Sequence, residues 1–365
     1  MIQISAEIAE SAKTRPFSRK VKSMELQAFP VFDARPPLAY IESWRRHIAD
    51  TGSPETFENV SNTKPPKNAA VILLSEVVKV PMSLRLGGDR VPCPLCSPTS
   101  PKFGKGRMAW FPDERVVRFI GHSCATRYLG DNYSAAERLY KVEEACARYL
   151  RLWPQLQEHR VNLRNVAKKL NAVARAERFT RAALDRQAPR FATFLFRDRV
   201  SKPDGIATSK ARGAKTTIIK GMDFISEDFH PNRQSEKLMK ACDDLWTNLP
   251  AWKQADGESD AAKEIIRRGN RAQSTIREIA GLDRCIRDAR KFLFPENLRL
   301  LEQWCDAGLS PFGTLKMRRD DNFFHLKAEW HEIGFEVSVL IHSDFDAPLP
   351  NERELADVSL SEILK

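Results

Sequence analysis

A chain of 365 residues, 42% of them hydrophobic, is long enough for two or three domains with ordinary buried cores. No run of 18 or more apolar residues occurs, and MIQISAEIAE carries Glu7 and Glu10 without an apolar leader segment, so a cytoplasmic protein with neither membrane span nor secretory signal is expected. The formal charge of +11 is unevenly placed: residues 1–133 carry +6, residues 134–220 carry +12, residues 221–365 carry −7, and the segment 161–220 alone carries +11. Such an asymmetry points to a polyanionic partner or an acidic protein face, with a helix face made basic for solubility as the plainer alternative.

Four segments follow from composition. Residues 1–65 form an extension that is partly loop, in which LAYIESWRRHIAD places Leu38, Ile41, Trp44 and Ile48 on one helical face. Residues 66–133 begin with AAVILLSEVVKVPMSLRL, β-branched and bounded by PPKN and GGD, which predicts one or two strands leading into VPCPLC. Residues 134–310 are helical. Leu139, Val142, Cys146, Tyr149 and Trp153 recur at spacings of three and four, Pro154 is expected to restart or kink the helix, and Leu156, Leu163, Val166, Leu170 and Val173 continue the stripe with Arg and Lys opposite.

A basic loop or small hairpin is predicted over 198–231. Helical spacing resumes with Leu238, Cys242, Leu245 and Leu249, and again with Ile265, Ile276, Ile279, Leu282, Ile286 and Phe292, so the second arm has the length to pack antiparallel on the first. FPENLRLLEQWCDAG has the start and stop signals of a short helix. Residues 311–365 switch period: FFHLKAEW and FEVSVLIHSDF, joined by HEIG, predict a β-hairpin with Phe335, Val337, Val339 and Ile341 on one face, followed by an acidic tail.

Seven cysteines is an odd number, scattered apart from the first three, which is reducing-compartment usage rather than a disulfide framework. Cys146, Cys242, Cys285 and Cys305 fall within helical patterns and are expected to be small buried side chains. Cys93 and Cys96 differ, because a tight C-x-x-C turn brings both sulfurs to one side, and structural zinc wants four ligands. Cys124 and His122, in RFIGHSCATRYLG, supply the other two. Between the pairs, GRMAWFPDERVVRFIG predicts strand, turn and strand with PDE as the turn, and ATRYL predicts a helix start.

Over residues 91–133 this order resembles the treble-clef class of zinc fingers, in which a C-P-x-C knuckle and a β-hairpin precede a ligand pair at a helix N-terminus. The second pair departs from the usual pattern, being His-x-Cys, so His122 is expected in the turn before the helix and Cys124 in its first turn. The resemblance implies a structural Zn2+ held by Cys93, Cys96, His122 and Cys124. The expected fold class is mainly α: long antiparallel helical hairpin or coiled-coil-like arms, a small α+β treble-clef-like zinc module and a C-terminal β-hairpin.

A P-C-x-x-C string also occurs in zinc deaminases, but that chemistry needs an H-x-E element, and the histidine upstream, His47, is followed by Ile-Ala-Asp. No phosphate-loop, nucleophile-elbow or H-E-x-x-H pattern occurs, so a non-catalytic protein is expected. The leading expectation is sequence-independent nucleic-acid binding through phosphate contacts by Lys102, Lys105, Arg107, Arg164, Lys168, Lys169, Arg175, Lys210, Arg212 and Lys215, with Trp110 and Phe111 available to stack on a base. The alternative is a protein-interaction scaffold, with zinc holding a small hub and the helical arms self-associating into a homo-oligomer.

Overall fold

Apolar side chains on both faces of residues 105–121 demand cover on both sides, and the folding of the first part of the chain follows from that demand. The computed structural model describes residues 32–200, 205–210 and 216–360. The chain divides into two compact units, Met1–Lys141 and Val142–Lys365. The first contains α1 (Leu38–Thr51), the short strands β1 (Ile72–Leu73) and β2 (Val78–Lys79), a paired β3 (Val91–Cys93) and β4 (Ser97–Phe103), the hairpin β5 (Lys105–Phe111) and β6 (Val116–Gly121), and α2 (His122–Leu129). α3 (Asp131–Glu158) follows, and the division of the chain falls within it.

β5 is the middle strand, pairing antiparallel with β6 on one edge and with β1 and β2 on the other. Side chains alternate across it. Met108, Trp110, Val117 and Phe119 join Ile41, Trp44 and Ile48 of α1, whereas Ala109, Phe111, Val116 and Ile120 join Ala125 and Leu129 of α2 and Tyr133. Trp110 and Phe111 are therefore both buried core residues, not free stacking platforms. Two arginines are buried on the α2 side and each is neutralised: Arg118 by Glu114 at 2.7 Å with its guanidinium over the Phe111 ring, Arg107 by Glu137 at 3.0 Å.

The second unit is built round α4 (Arg160–Gln187), where twelve side chains are buried. It continues with α5 (Phe191–Val200), the two-residue strands β7 (Ile206–Ala207) and β8 (Thr216–Thr217), α6 (Pro231–Asp244), α7 (Asp260–Arg277), α8 (Ile279–Arg290) and α9 (Pro295–Asp306). α6 and α8 pack on α4, and α7 packs on α6, so the helices gather in a cluster round α4 rather than forming two long arms. The helix break expected at Pro154 is not there: α3 runs through it. Pro154 lies on the exposed face of the helix, while Trp153 and Leu156 stay buried on the other.

The C-terminal part is a three-stranded antiparallel sheet, not a hairpin. β9 (Thr314–Arg319) flanks β10 (Phe323–Trp330), which pairs with β11 (Ile333–Leu340), and α10 (Glu352–Asp357) is the last element of the described chain. The added strand, TLKMRR, buries only Leu315 and Met317, a signal diluted by its three cations. The β10–β11 turn is the two residues His331 and Glu332, with His331 at φ 52, the left-handed backbone that such tight turns require. Phe335, Val339 and Ile341 are buried as the alternation predicts, and Val337 is half-buried.

Glu177 is wholly buried in α4, with the Arg290 guanidinium 3.8 Å away and no hydrogen-bond partner for either carboxylate oxygen among the described residues. Burial pushes its carboxyl up to about 9, against the opposing pull of Arg290. A folded pKa above the unfolded 4.5 means that the folded state holds the proton longer, so stability falls as pH rises from the unfolded value toward about 9. Glu177→Gln, neutral at every pH, is expected to raise stability at pH 8 by on the order of 1–3 kcal/mol and to change it little at pH 4. Urea melts of both proteins at the two pH values check this.

Candidate metal centre and basic helix face

The three N-terminal cysteines meet because one ring seats the knuckle on the hairpin. Gly106 and Gly121 face each other across β5 and β6, and the Phe103 ring of β4 lies over both. A Cβ at Gly106 would stand 2.5 Å from that ring and 2.6 Å from the Ile120 carbonyl oxygen, and one at Gly121 would stand 3.1 Å from the ring. Phe103 also stacks on Phe119 at 5.2 Å. With β4 held there, β3 lies beside β6, and the Cys93-Pro94-Leu95-Cys96 turn, closed by the Cys96 amide donating to the Cys93 carbonyl at 3.3 Å, faces the start of α2.

Cys124 sits in the first turn of α2, with its Sγ 3.3 Å from that of Cys96. The ligand atoms of Cys93, Cys96 and Cys124 all lie within 4.8 Å of one another, the one such group of His, Cys, Asp or Glu among the described residues. Metal–sulfur bonds of about 2.3 Å in a tetrahedron set sulfurs roughly 3.8 Å apart, so the spacing suits a metal ion. The electrostatics agree. Burial raises the Cys93 thiol, only partly offset by hydrogen bonds from the backbone of Gly121 and Leu95, and burial with the neighbouring Cys96 and Cys93 pushes Cys124 up to about 12. Cys93 and Cys124 therefore resist ionising unless a cation takes up their charge.

His122, the expected fourth ligand, lies outside this group. It is the first residue of α2 rather than a residue of the preceding turn, it is exposed, and its Nδ1 is hydrogen-bonded to the buried Tyr133 hydroxyl at 3.0 Å. His122 instead shares with Cys96 and Cys124 the wall of an open pocket of about 640 Å³, lined also by Lys102, Phe103, Lys105 and Glu137.

The ten cations expected to meet phosphate fall into different settings. Lys168 and Arg175 are exposed on α4 and make no ion pair among the described residues. Together with Asn171, Ala172, Phe179, His342 and Asp344 they line a second open pocket of about 400 Å³. Lys102 and Lys105 are exposed in the first unit. Arg107 is buried against Glu137, Arg164 pairs with Asp243 at 3.1 Å, and Lys169 pairs with Glu354 at 2.6 Å. Lys210 is exposed, with its ammonium beside Gly308 just past the C-terminal end of α9. Arg212 and Lys215 lie outside the described residues.

Three residues of the basic face escape a reading of spacing alone. Phe179 is 41% exposed, follows Arg175 by one helical turn and meets the His342 ring edge-on at 5.4 Å. Trp246 is 47% exposed with Arg160 and Arg164 over its ring at 5.1 and 5.5 Å. Asn171 lies between Lys168 and Arg175 on the pocket wall. An aromatic on the charged side of an amphipathic helix was the available signal for Phe179; Trp246 and His342 come from other parts of the chain.

Compared with known proteins, the chain matches no family model, and no curated protein and no solved structure is similar to it. Among the described residues no helix is long and apolar enough to cross a membrane.

Two outcomes follow from the seat of the knuckle. Metal analysis of the purified protein should find one bound ion per chain and lose it on Cys93→Ser; equal metal in both would remove the site. Gly106→Ala should cost about 1–3 kcal/mol of stability, since the Ile120 carbonyl is backbone and cannot swing away, and should weaken metal binding by displacing Phe103. Equilibrium unfolding and metal competition with a chromogenic chelator measure the two effects.

Proposed function

We propose that this chain is a non-catalytic, zinc-containing protein that binds nucleic acid through phosphate contacts along α4. The observation that carries the reading is the seam Arg160, Arg164, Lys168, Asn171, Arg175 and Phe179, spaced by four and three along one side of that helix. From Arg160 to Phe179 the helix rises about 28 Å at 1.5 Å per residue, with an exposed aromatic ring at each end. Cations between stacking platforms suit a strand whose phosphates need neutralising and whose bases offer flat faces, each stacked base contributing about 1–3 kcal/mol. Lys168 and Arg175, unpaired at the rim of their pocket, are the principal contacts. Arg164 and Lys169 are held by acids, and Arg107 is buried.

In the same reading the three-cysteine centre is a structural zinc site of treble-clef-like build: the turn Cys93–Cys96, the hairpin β5–β6, then α2 carrying Cys124. Zinc would fix the orientation of Lys102 and Lys105 on the rim of its own pocket.

Titration of the purified protein with a labelled single strand and a labelled duplex at several salt concentrations tests the reading. Affinity should fall steeply with salt, and Lys168→Glu with Arg175→Glu should flatten the logarithmic salt slope by about 2. Phe179→Ala should weaken the single strand by about tenfold and leave the slope unchanged. If neither strand binds at low salt, nucleic-acid binding is abandoned.

A further inference from the structure

We propose that the metal held by Cys93, Cys96 and Cys124 keeps its fourth position open to the pocket beside it, and that this position takes a small thiolate from solution. The inference rests on the reading of the three cysteines as a metal site and goes beyond it, since a site serving structure alone is closed by a fourth protein ligand.

Four observations carry it. The group of mutually close ligand atoms contains three sulfurs and no fourth atom from His, Cys, Asp or Glu among the described residues. The nearest candidate in sequence, His122, has neither ring nitrogen within that group, and its Nδ1 is hydrogen-bonded to the Tyr133 hydroxyl at 3.0 Å. Burial then changes across the trio in one direction: Cys93 is buried, Cys124 half-buried and Cys96 exposed, and the pocket wall includes Cys96 and Cys124 but not Cys93. The side left uncovered therefore faces about 640 Å³ of open space.

The lining of that space chooses the ligand. Three thiolates on a dication leave one net negative charge, which on its own would discourage a further anion. Lys102 and Lys105, exposed on the pocket wall and without ion pairs among the described residues, offset it. Glu137, the acid on the same wall, is taken up by Arg107 at 3.0 Å. Val77 and Phe103 give the wall an apolar side suited to a short carbon chain. A metal already bound by soft sulfur favours another soft donor over a carboxylate. Binding is a simple exchange: the thiol S–H proton goes to solvent, a sulfur–metal bond forms, and the solvent molecule at the fourth position leaves. No electron moves.

Cobalt substitution of the full chain reads the coordination shell directly, with 2-mercaptoethanol as the probe. The protein should bind Co2+ with sulfur-to-metal absorption that is unchanged in His122→Ala. Adding the thiol should raise that absorption saturably, with cobalt still travelling with the protein on gel filtration. Lys102→Glu with Lys105→Glu should weaken the thiol by about threefold to tenfold while leaving the spectrum before addition unaltered. A changed cobalt spectrum in His122→Ala would make His122 the fourth ligand and overturn the open position. So would a wild-type spectrum indifferent to thiol, or cobalt stripped from the protein by it. Failure of the wild type to bind cobalt at all would instead remove the metal reading on which the inference stands.

Discussion

The second unit depends on how α4 is divided. One side buries Leu163, Val166, Ala167, Leu170, Val173, Ala174, Ala176 and Leu184. The two apolar clusters of this unit both contain residues of α4: one joins it to α3, α6, α7 and α8, the other to α5, α9 and the three-stranded sheet. A helix packed along its whole length on both clusters cannot roll or bend far, because packed interiors tolerate little displacement. The opposite side is therefore a row of side chains carried on a constrained backbone. Arg160, Arg164, Lys168, Asn171, Arg175 and Phe179 keep fixed spacings because the opposite side is fixed, and their arrangement is a consequence of the core.

The first unit has an equivalent constraint at smaller scale. A phenylalanine laid across two facing glycines has nowhere else to go, and its strand carries the Cys93–Cys96 turn to the start of α2. Sulfurs that would repel one another as thiolates are thus assembled by packing, and a cation would relieve the repulsion that packing imposes. In both units an apolar contact places polar groups where their chemistry becomes available. The exposed Lys102 and Lys105 beside the sulfurs and the exposed Lys168 and Arg175 on α4 share that origin.

Much of this was legible in the sequence where one local pattern dominates. The doubly apolar run of residues 105–121 gave its hairpin, the proline and glycine bracketing FPENLRLLEQWCDAG gave α9, and C-P-L-C followed by G-H-S-C brought together Cys93, Cys96 and Cys124. What was not legible depends on residues distant in the chain. TLKMRR reads as too charged for a strand until β10 is beside it. Pro154 reads as a break, yet its ring lies on the exposed face of a helix whose other face is held by the core. The Tyr133 hydroxyl that holds His122 is eleven residues away with no spacing rule to announce it. Among the basic residues, type and position were visible, but which charges stay free was not: Arg107, Arg164 and Lys169 meet Glu137, Asp243 and Glu354, and only the fold names those partners.

Adjacent lysines in opposite situations offer the sharpest measurement. Lys168 is exposed on the seam, while its neighbour Lys169 turns to Glu354. Lysine acetylation followed by mass spectrometry, with and without a saturating single strand, compares the two on one peptide at once. The account predicts that Lys168 loses most of its reactivity when the strand is bound and that Lys169 keeps its own. Unchanged reactivity at Lys168, with protection appearing at lysines away from α4, would contradict it.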